Sequence, residues 1–141
     1  MKSFFNIALF IGAGLLLFSC HTSKSAVSSK GSSPEQIAVA WEAAKDDFHG
    51  VMASTFHPAQ EDNLAPVKAK YQELADISSK WAALPLPQNE QGKGLDKLLK
   101  KLSTESKTIG KVVNKGNDEA IKNAIFGLHD VFHKIVGLCD H

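Results

Sequence analysis

Apolar side chains recur every three or four residues in four successive segments of the chain, which is the spacing of one face of an α-helix. No segment alternates with the two-residue period of a strand over a useful length. The pattern therefore predicts an all-α protein with four helices of about 20–24 residues. The four stripes are Ile37, Trp41, Ala44, Phe48, Val51, Met52 and Thr55; Leu64, Val67, Tyr71, Leu74, Ser78 and Trp81; Leu95, Leu98, Leu99, Leu102, Ile109, Val112 and Val113; and Ile121, Ile125, Leu128, Phe132, Ile135 and Cys139.

Residues that begin or end helices separate these stripes. Short connections join the predicted helices, so residues 34–141 are expected to form one up-down-up-down antiparallel four-helix bundle. The expected helix starts are Ser33-Pro34 with Gln36, then Asp62-Asn63, and finally Asn117; the expected stops are His57-Pro58, Pro85 with Pro87, and Gly116.

The N-terminal segment has the features of a secretory signal. Lys2 precedes an apolar run from Phe4 to Phe18, which is too short for a membrane span of about 20 residues. The run Leu17-Phe18-Ser19-Cys20 resembles the lipobox of bacterial lipoproteins. This resemblance implies that residues 1–19 are removed as a signal peptide and that Cys20 carries a lipid, which makes the membrane a partner.

The residues after Cys20 predict a tether and a location. His21 is not the aspartate that retains lipoproteins in the inner membrane, so the resemblance implies the periplasmic face of the outer membrane of a Gram-negative bacterium. Residues 20–33 are rich in serine and poor in apolar side chains, which is typical of a flexible tether.

Charge and cysteine content narrow the possible partners. Without residues 1–19 the chain has 15 lysines, 15 acidic residues and no arginine, so no basic excess favours nucleic acid. With Cys20 lipidated, Cys139 has no partner for an intramolecular disulfide. Its place on an apolar stripe predicts a small core side chain.

Histidines on the first and last helices are the candidate chemistry. Asp130-Val131-Phe132-His133 repeats the pattern of Asp46-Asp47-Phe48-His49. In both copies the phenylalanine faces the core and the histidine lies at its edge, about 100° further round the helix. His129 and His133 are four residues apart on one ridge, which is suitable spacing for two ligands of one metal ion.

The histidines lie on one flank of the first helix and one flank of the last helix. Whether these two flanks face each other depends on the hand of the bundle. In one hand they converge, and His49, His129, His133 and Glu42 would supply nitrogen and oxygen ligands for zinc, copper or iron; in the other hand they diverge. Met52 would favour copper. His57 lies about 12 Å along the axis from His49 and would join only if the helix ended before Pro58.

The positions of these residues along the bundle axis can also be estimated. If the first and last helices have level ends, Glu42 lies beside Phe132, and His49 lies near Ile125, about one turn from His129. The same alignment separates Met52 from His133 by about 16 Å along the axis.

A secreted four-helix bundle with Phe132-His133-Lys134 on its last helix resembles the cytochrome b562 and cytochrome c-prime group. The resemblance covers architecture more than sequence, and it implies a haem held by His133 and Met52. No Cys-x-x-Cys-His motif for covalent haem attachment is present.

Three functions follow as expectations. The first is an envelope lipoprotein that binds copper or zinc for sequestration, sensing or delivery. The second is a haem-binding electron carrier, and the third is a non-catalytic bundle that docks an envelope protein. No Ser-His-Asp or Cys-His arrangement is recognisable, and the Asp-x-x-His pairs differ from the Glu-x-x-His pairs of diiron bundles. An enzyme is therefore not predicted.

Overall fold

Four α-helices account for most of the chain that the structure describes, residues 31–139 of a computed structural model. They are α1 (Pro34–Gln60), α2 (Ala65–Ala82), α3 (Leu95–Asn114) and α4 (Asp118–Cys139), and a short 3-10 turn covers Gln88–Glu90. Residues 31–139 contain no strand. The predicted all-α four-helix bundle is confirmed. The predictions for the signal peptide, Cys20 and His21 lie outside the described residues.

The helices pack in a ring that follows chain order. α1 packs on α2, α2 on α3, α3 on α4, and α4 returns to α1. Helices α1 and α3 therefore occupy opposite corners of the bundle, as do α2 and α4. This is the up-down-up-down arrangement that short connections between the helices favour.

Most predicted helix ends are found in the structure. Ser33 and Gln36 form a capping box, because the Gln36 backbone N–H donates to the Ser33 hydroxyl at 3.2 Å and the Ser33 N–H donates to the Gln36 side chain at 2.9 Å. Asn117 accepts from the Ala120 N–H at 2.8 Å. Gly116 has a φ of 68°, the left-handed conformation that ends α3.

The predicted stop at His57-Pro58 is wrong, since α1 continues through Pro58 to Gln60. Proline inside a helix removes one hydrogen bond, but the turn that contains Pro58 also buries Phe56 and Ala59 in the core. The helix ends instead where Asp62 adopts a φ of 60°. There the Asn63 N–H donates to the Pro58 carbonyl at 3.0 Å and the Asp62 N–H to the Ala59 carbonyl at 3.2 Å.

Aromatic side chains form the centre of the core between α1, α2 and α4. The rings of Trp41 and Trp81 meet edge to face with centroids 5.5 Å apart. Phe48 lies 5.9 Å from Trp81 and 5.3 Å from Phe132, so it joins the three helices. Phe48 has no exposed surface.

The helices pack more closely at the seam between α2 and α3 than at the opposite seam, between α1 and α4. Small residues line the seam between α2 and α3: the hydroxyls of Ser79 and Ser103 lie 3.0 Å apart, and Gly110 leaves room for the ring of Tyr71. Bulky rings line the seam between α1 and α4, and these two helices pack less closely than the other three neighbouring pairs. The bundle therefore opens along the α1–α4 seam.

Replacing Phe48 with alanine should lower the free energy of unfolding by about 3–5 kcal/mol, because the variant leaves a cavity among three helices. Urea denaturation followed by circular dichroism measures the change. Val39→Ala is the matched control on α1; Val39 is 65% exposed, and its change should stay within about 0.5 kcal/mol. Equal effects of the two variants would contradict the assignment of Phe48 to the centre of the core.

Candidate metal centre

A groove of about 360 Å³ lies along the open seam between α1 and α4. Four histidines line it, two from each helix, together with Met52 at its base. The structure thus has the bundle hand in which the two flanks converge. The four are His49 and His57 from α1, and His129 and His133 from α4.

His129 and His133 form the closest pair of imidazoles in the groove. Their Nε2 atoms lie 3.1 Å apart. If one ion bound both atoms through ordinary metal–nitrogen bonds of about 2.0–2.1 Å, the nitrogen–metal–nitrogen angle would be about 100°. That angle lies between those of square-planar and tetrahedral coordination, about 90° and 109°. At this distance the two nitrogens share a hydrogen bond, and an ion bound to both would replace that bond, with the rings turning so that both lone pairs face the ion.

Phe56 holds the His129 ring in place. The two rings are stacked, with centroids 3.6 Å apart and an interplanar angle of 6°. Phe56 is largely buried and also packs on Phe126 at 5.0 Å. The sequence patterns did not predict this stacking; the available signal was the separation of Phe56 from His49 by seven residues, two helical turns, which puts both on one side of α1.

The level-ends alignment of α1 and α4 is wrong. The His49 ring stacks on Phe132 with centroids 5.5 Å apart, whereas level ends would place His49 near Ile125, about two turns away. The extension of α1 through Pro58 accounts for part of the shift. As a result, His49 approaches the His133 end of the pair, and Phe56 reaches His129.

His57 also lines the groove, although α1 does not end before Pro58. His57 therefore borders the groove within an unbroken helix, and the expectation that it joins His49 as a ligand only if the helix ends early stays a prediction. Its Nδ1 atom lies 3.1 Å from the Gln60 side-chain oxygen, and its ring is exposed. His57 and His49 thus flank the central pair from α1.

Of the two other predicted ligands, Glu42 lies outside the groove and Met52 lies within it. Glu42 is not among the groove-lining residues; its carboxylate pairs with Lys45 on the same helix. Met52 does line the groove but is 1% exposed. Because Phe56 faces His129, Met52 lies one turn away at about the height of His133, and the predicted axial separation of 16 Å is wrong.

Among residues 31–139, no group of three or more His, Cys, Asp or Glu side chains is placed to hold a metal ion. The assembled feature is a pair of imidazoles with two further histidines in the same groove.

The position of His129 favours its neutral form. Burial lowers the pKa of this imidazole, and the nearby charge of His133 lowers it further; Asp130 acts in the opposite direction, while His57 and His49 add smaller lowering effects. A lowered pKa leaves a ring nitrogen unprotonated at neutral pH, which is the state that binds a metal.

Cys139 belongs to a separate environment near the C-terminal end of α4. Burial, followed by the adjacent negative charge of Glu90, raises the pKa of its thiol to about 11. The side chain packs against the core and is partly buried. The thiol therefore stays protonated at neutral pH, in keeping with a packing role.

Comparison with known proteins finds no matching family model, no similar curated protein and no similar solved structure. Within the described part of the chain, no helix is long and apolar enough to span a membrane.

Acidification should destabilise the bundle through His129. Because the folded-state pKa lies below the ordinary value of 6.5, the unfolded chain binds the proton more readily, and stability falls as the pH drops below that value. Urea midpoints measured between about pH 8 and pH 5 should therefore decrease, and His129→Gln should flatten the decrease. Lys134→Gln, an exposed change on the same helix, should leave the slope unaltered; an unchanged slope in His129→Gln would contradict this origin.

Proposed function

We propose that the protein binds a transition metal, copper or zinc, in the groove between α1 and α4. The observation that supports this most is the 3.1 Å separation of the His129 and His133 Nε2 atoms. A metal ion that takes both nitrogens at ordinary bond lengths would replace the hydrogen bond between them. Phe56 fixes one of the two rings, so little conformational entropy is lost on binding.

The donor atoms suit these two metals. Imidazole nitrogen is a ligand of both zinc and copper, and the thioether of Met52 in the same groove would favour copper, particularly as Cu(I). His49 and His57 lie on the facing helix, where a change of rotamer could bring either ring towards the ion. Water can occupy the remaining positions.

The proposed setting is the bacterial envelope. A lipidated Cys20 would hold the bundle at the periplasmic face of the outer membrane, where a histidine site could sequester, sense or deliver metal. No catalytic activity is proposed. The partly buried, open pair is consistent with reversible binding rather than a closed structural site.

Titration of the purified protein with Cu²⁺ and Zn²⁺ tests the proposal. We expect one site of sub-micromolar affinity, and a metal concentration of 100 times Kd should raise the free energy of unfolding by about 2.7 kcal/mol. His129→Ala and His133→Ala should each weaken binding by more than about tenfold, because each removes one of two ligands.

Lys134→Ala serves as the matched control, since this exposed side chain neighbours His133 without contributing a metal ligand. It should bind metal as the parent protein does. Affinity that is equal in the parent and in the His129→Ala/His133→Ala double variant would refute the proposed site.

Haem is the second candidate, and one observation favours it. Met52 and His133 lie at about the same height on facing helices and line the same groove. These are the residues that the resemblance to cytochrome b562 implies as ligands. Against this, the His133 Nε2 atom already contacts His129, and Met52 is almost fully buried. The groove as it stands therefore fits a metal ion better than a macrocycle.

Haem addition separates the two candidates. If haem binds through Met52 and His133, a Soret band with stoichiometric saturation should appear, and Met52→Leu should shift its position because a sulfur ligand is lost. A spectrum identical to that of free haem would eliminate this candidate. Docking of an envelope protein, the third expectation, stays a prediction.

A further inference from the structure

The outer face of α3 carries five lysines, and a sixth, Lys115, follows the last residue of the helix. All six are exposed, and only Lys101 makes an ion pair, with Glu105, among the described residues. At 100° per residue their positions fall within about 120° of one another, so they share one side of the helix, opposite its buried stripe. We call this surface the lysine face; it consists of Lys97, Lys100, Lys101, Lys107, Lys111 and Lys115.

The opposite corner of the bundle has the opposite charge. Helix α1 has four acidic residues and one lysine, a formal charge of −3, whereas residues 95–115 have six lysines and two acidic residues, a formal charge of +4. Since α1 and α3 are diagonal in the bundle, the two charges lie on opposite sides. The protein therefore has a strong charge asymmetry although its net charge is only +1. The α1 acids are Glu35, Glu42, Asp46 and Asp47.

The shape of the lysine face fits a broad anionic surface. From Lys97 to Lys115 it extends about 27 Å along one straight helix. Between the lysines lie Thr104 and Thr108, whose hydroxyls donate to backbone carbonyls of the same helix at 2.9 and 3.0 Å. Lysine ammonium groups are mobile point charges that attract anionic headgroups without fixed geometry.

We propose that the lysine face docks the bundle on anionic phospholipid headgroups. The net negative charge of α1 is repelled by the same surface, so the bundle lies with α3 towards the membrane. A lipid at Cys20 would keep the bundle close to such a surface, but the docking itself depends only on α3 and α1. Because the groove lies on the α1 side of the bundle, this orientation keeps it open to solution.

Lysine acylation of the full-length protein, read by mass spectrometry, tests the orientation. Vesicles of phosphatidylcholine with about one-third phosphatidylglycerol should slow acylation of the lysine face several-fold, while Lys80 and Lys134 react as they do in solution. Pure phosphatidylcholine vesicles and inorganic phosphate should give no such protection. Salt at about 0.5 M should remove it, because the attraction is screened.

Charge reversal provides a matched pair of variants. Lys100→Glu/Lys107→Glu should abolish protection of the remaining α3 lysines, whereas Lys80→Glu/Lys134→Glu, with the same change in net charge, should retain it. Circular dichroism checks that both fold. The proposal would be overturned if the anionic vesicles protected all lysines equally, or if they protected none of them. If protection of the lysine face rises with protein concentration in the absence of vesicles, the face binds a second copy of the chain, and the lipid proposal is overturned.

Discussion

Packing of large rings between α1 and α4 is the constraint on which the candidate site depends. Phe48 contacts Phe132 across this seam, and Phe56 stacks on His129 one to two turns away. Rings of this size keep the two backbones further apart than the small residues between α2 and α3 do. The resulting groove is bordered by the side chains that flank the rings, and in both helices these include two histidines.

The same packing sets the chemistry of the groove. Stacking on Phe56 orients the His129 ring, and partial burial lowers its pKa, so a neutral imidazole is hydrogen-bonded to His133 at neutral pH. An exposed pair of histidines on an isolated helix would have neither constraint. The lysines of α3, by contrast, lie far from the rings, and their arrangement follows from helix periodicity alone. The histidine groove and the lysine face are therefore physically independent features.

Local sequence signals were sufficient for the bundle and for most helix ends. Apolar spacing identified four helices because each helix must bury one face, and the capping box at Ser33 and the left-handed Gly116 depend only on nearby residues. Pro58 misled the prediction because a local rule opposes the helix there, while burial of Phe56 and Ala59 in the tertiary core favours it.

The sequence by itself determined the all-α class, the helix count and the placement of His129 beside His133, since a four-residue spacing on one helix fixes neighbours. Only the tertiary structure decided the bundle hand, the register of α1 against α4 and the separation of Glu42 from the groove. Those properties depend on how rings such as Phe48 and Phe132 interlock between helices. Periodicity within one helix carries no information about that interlocking, because it fixes a residue's direction but not its partner.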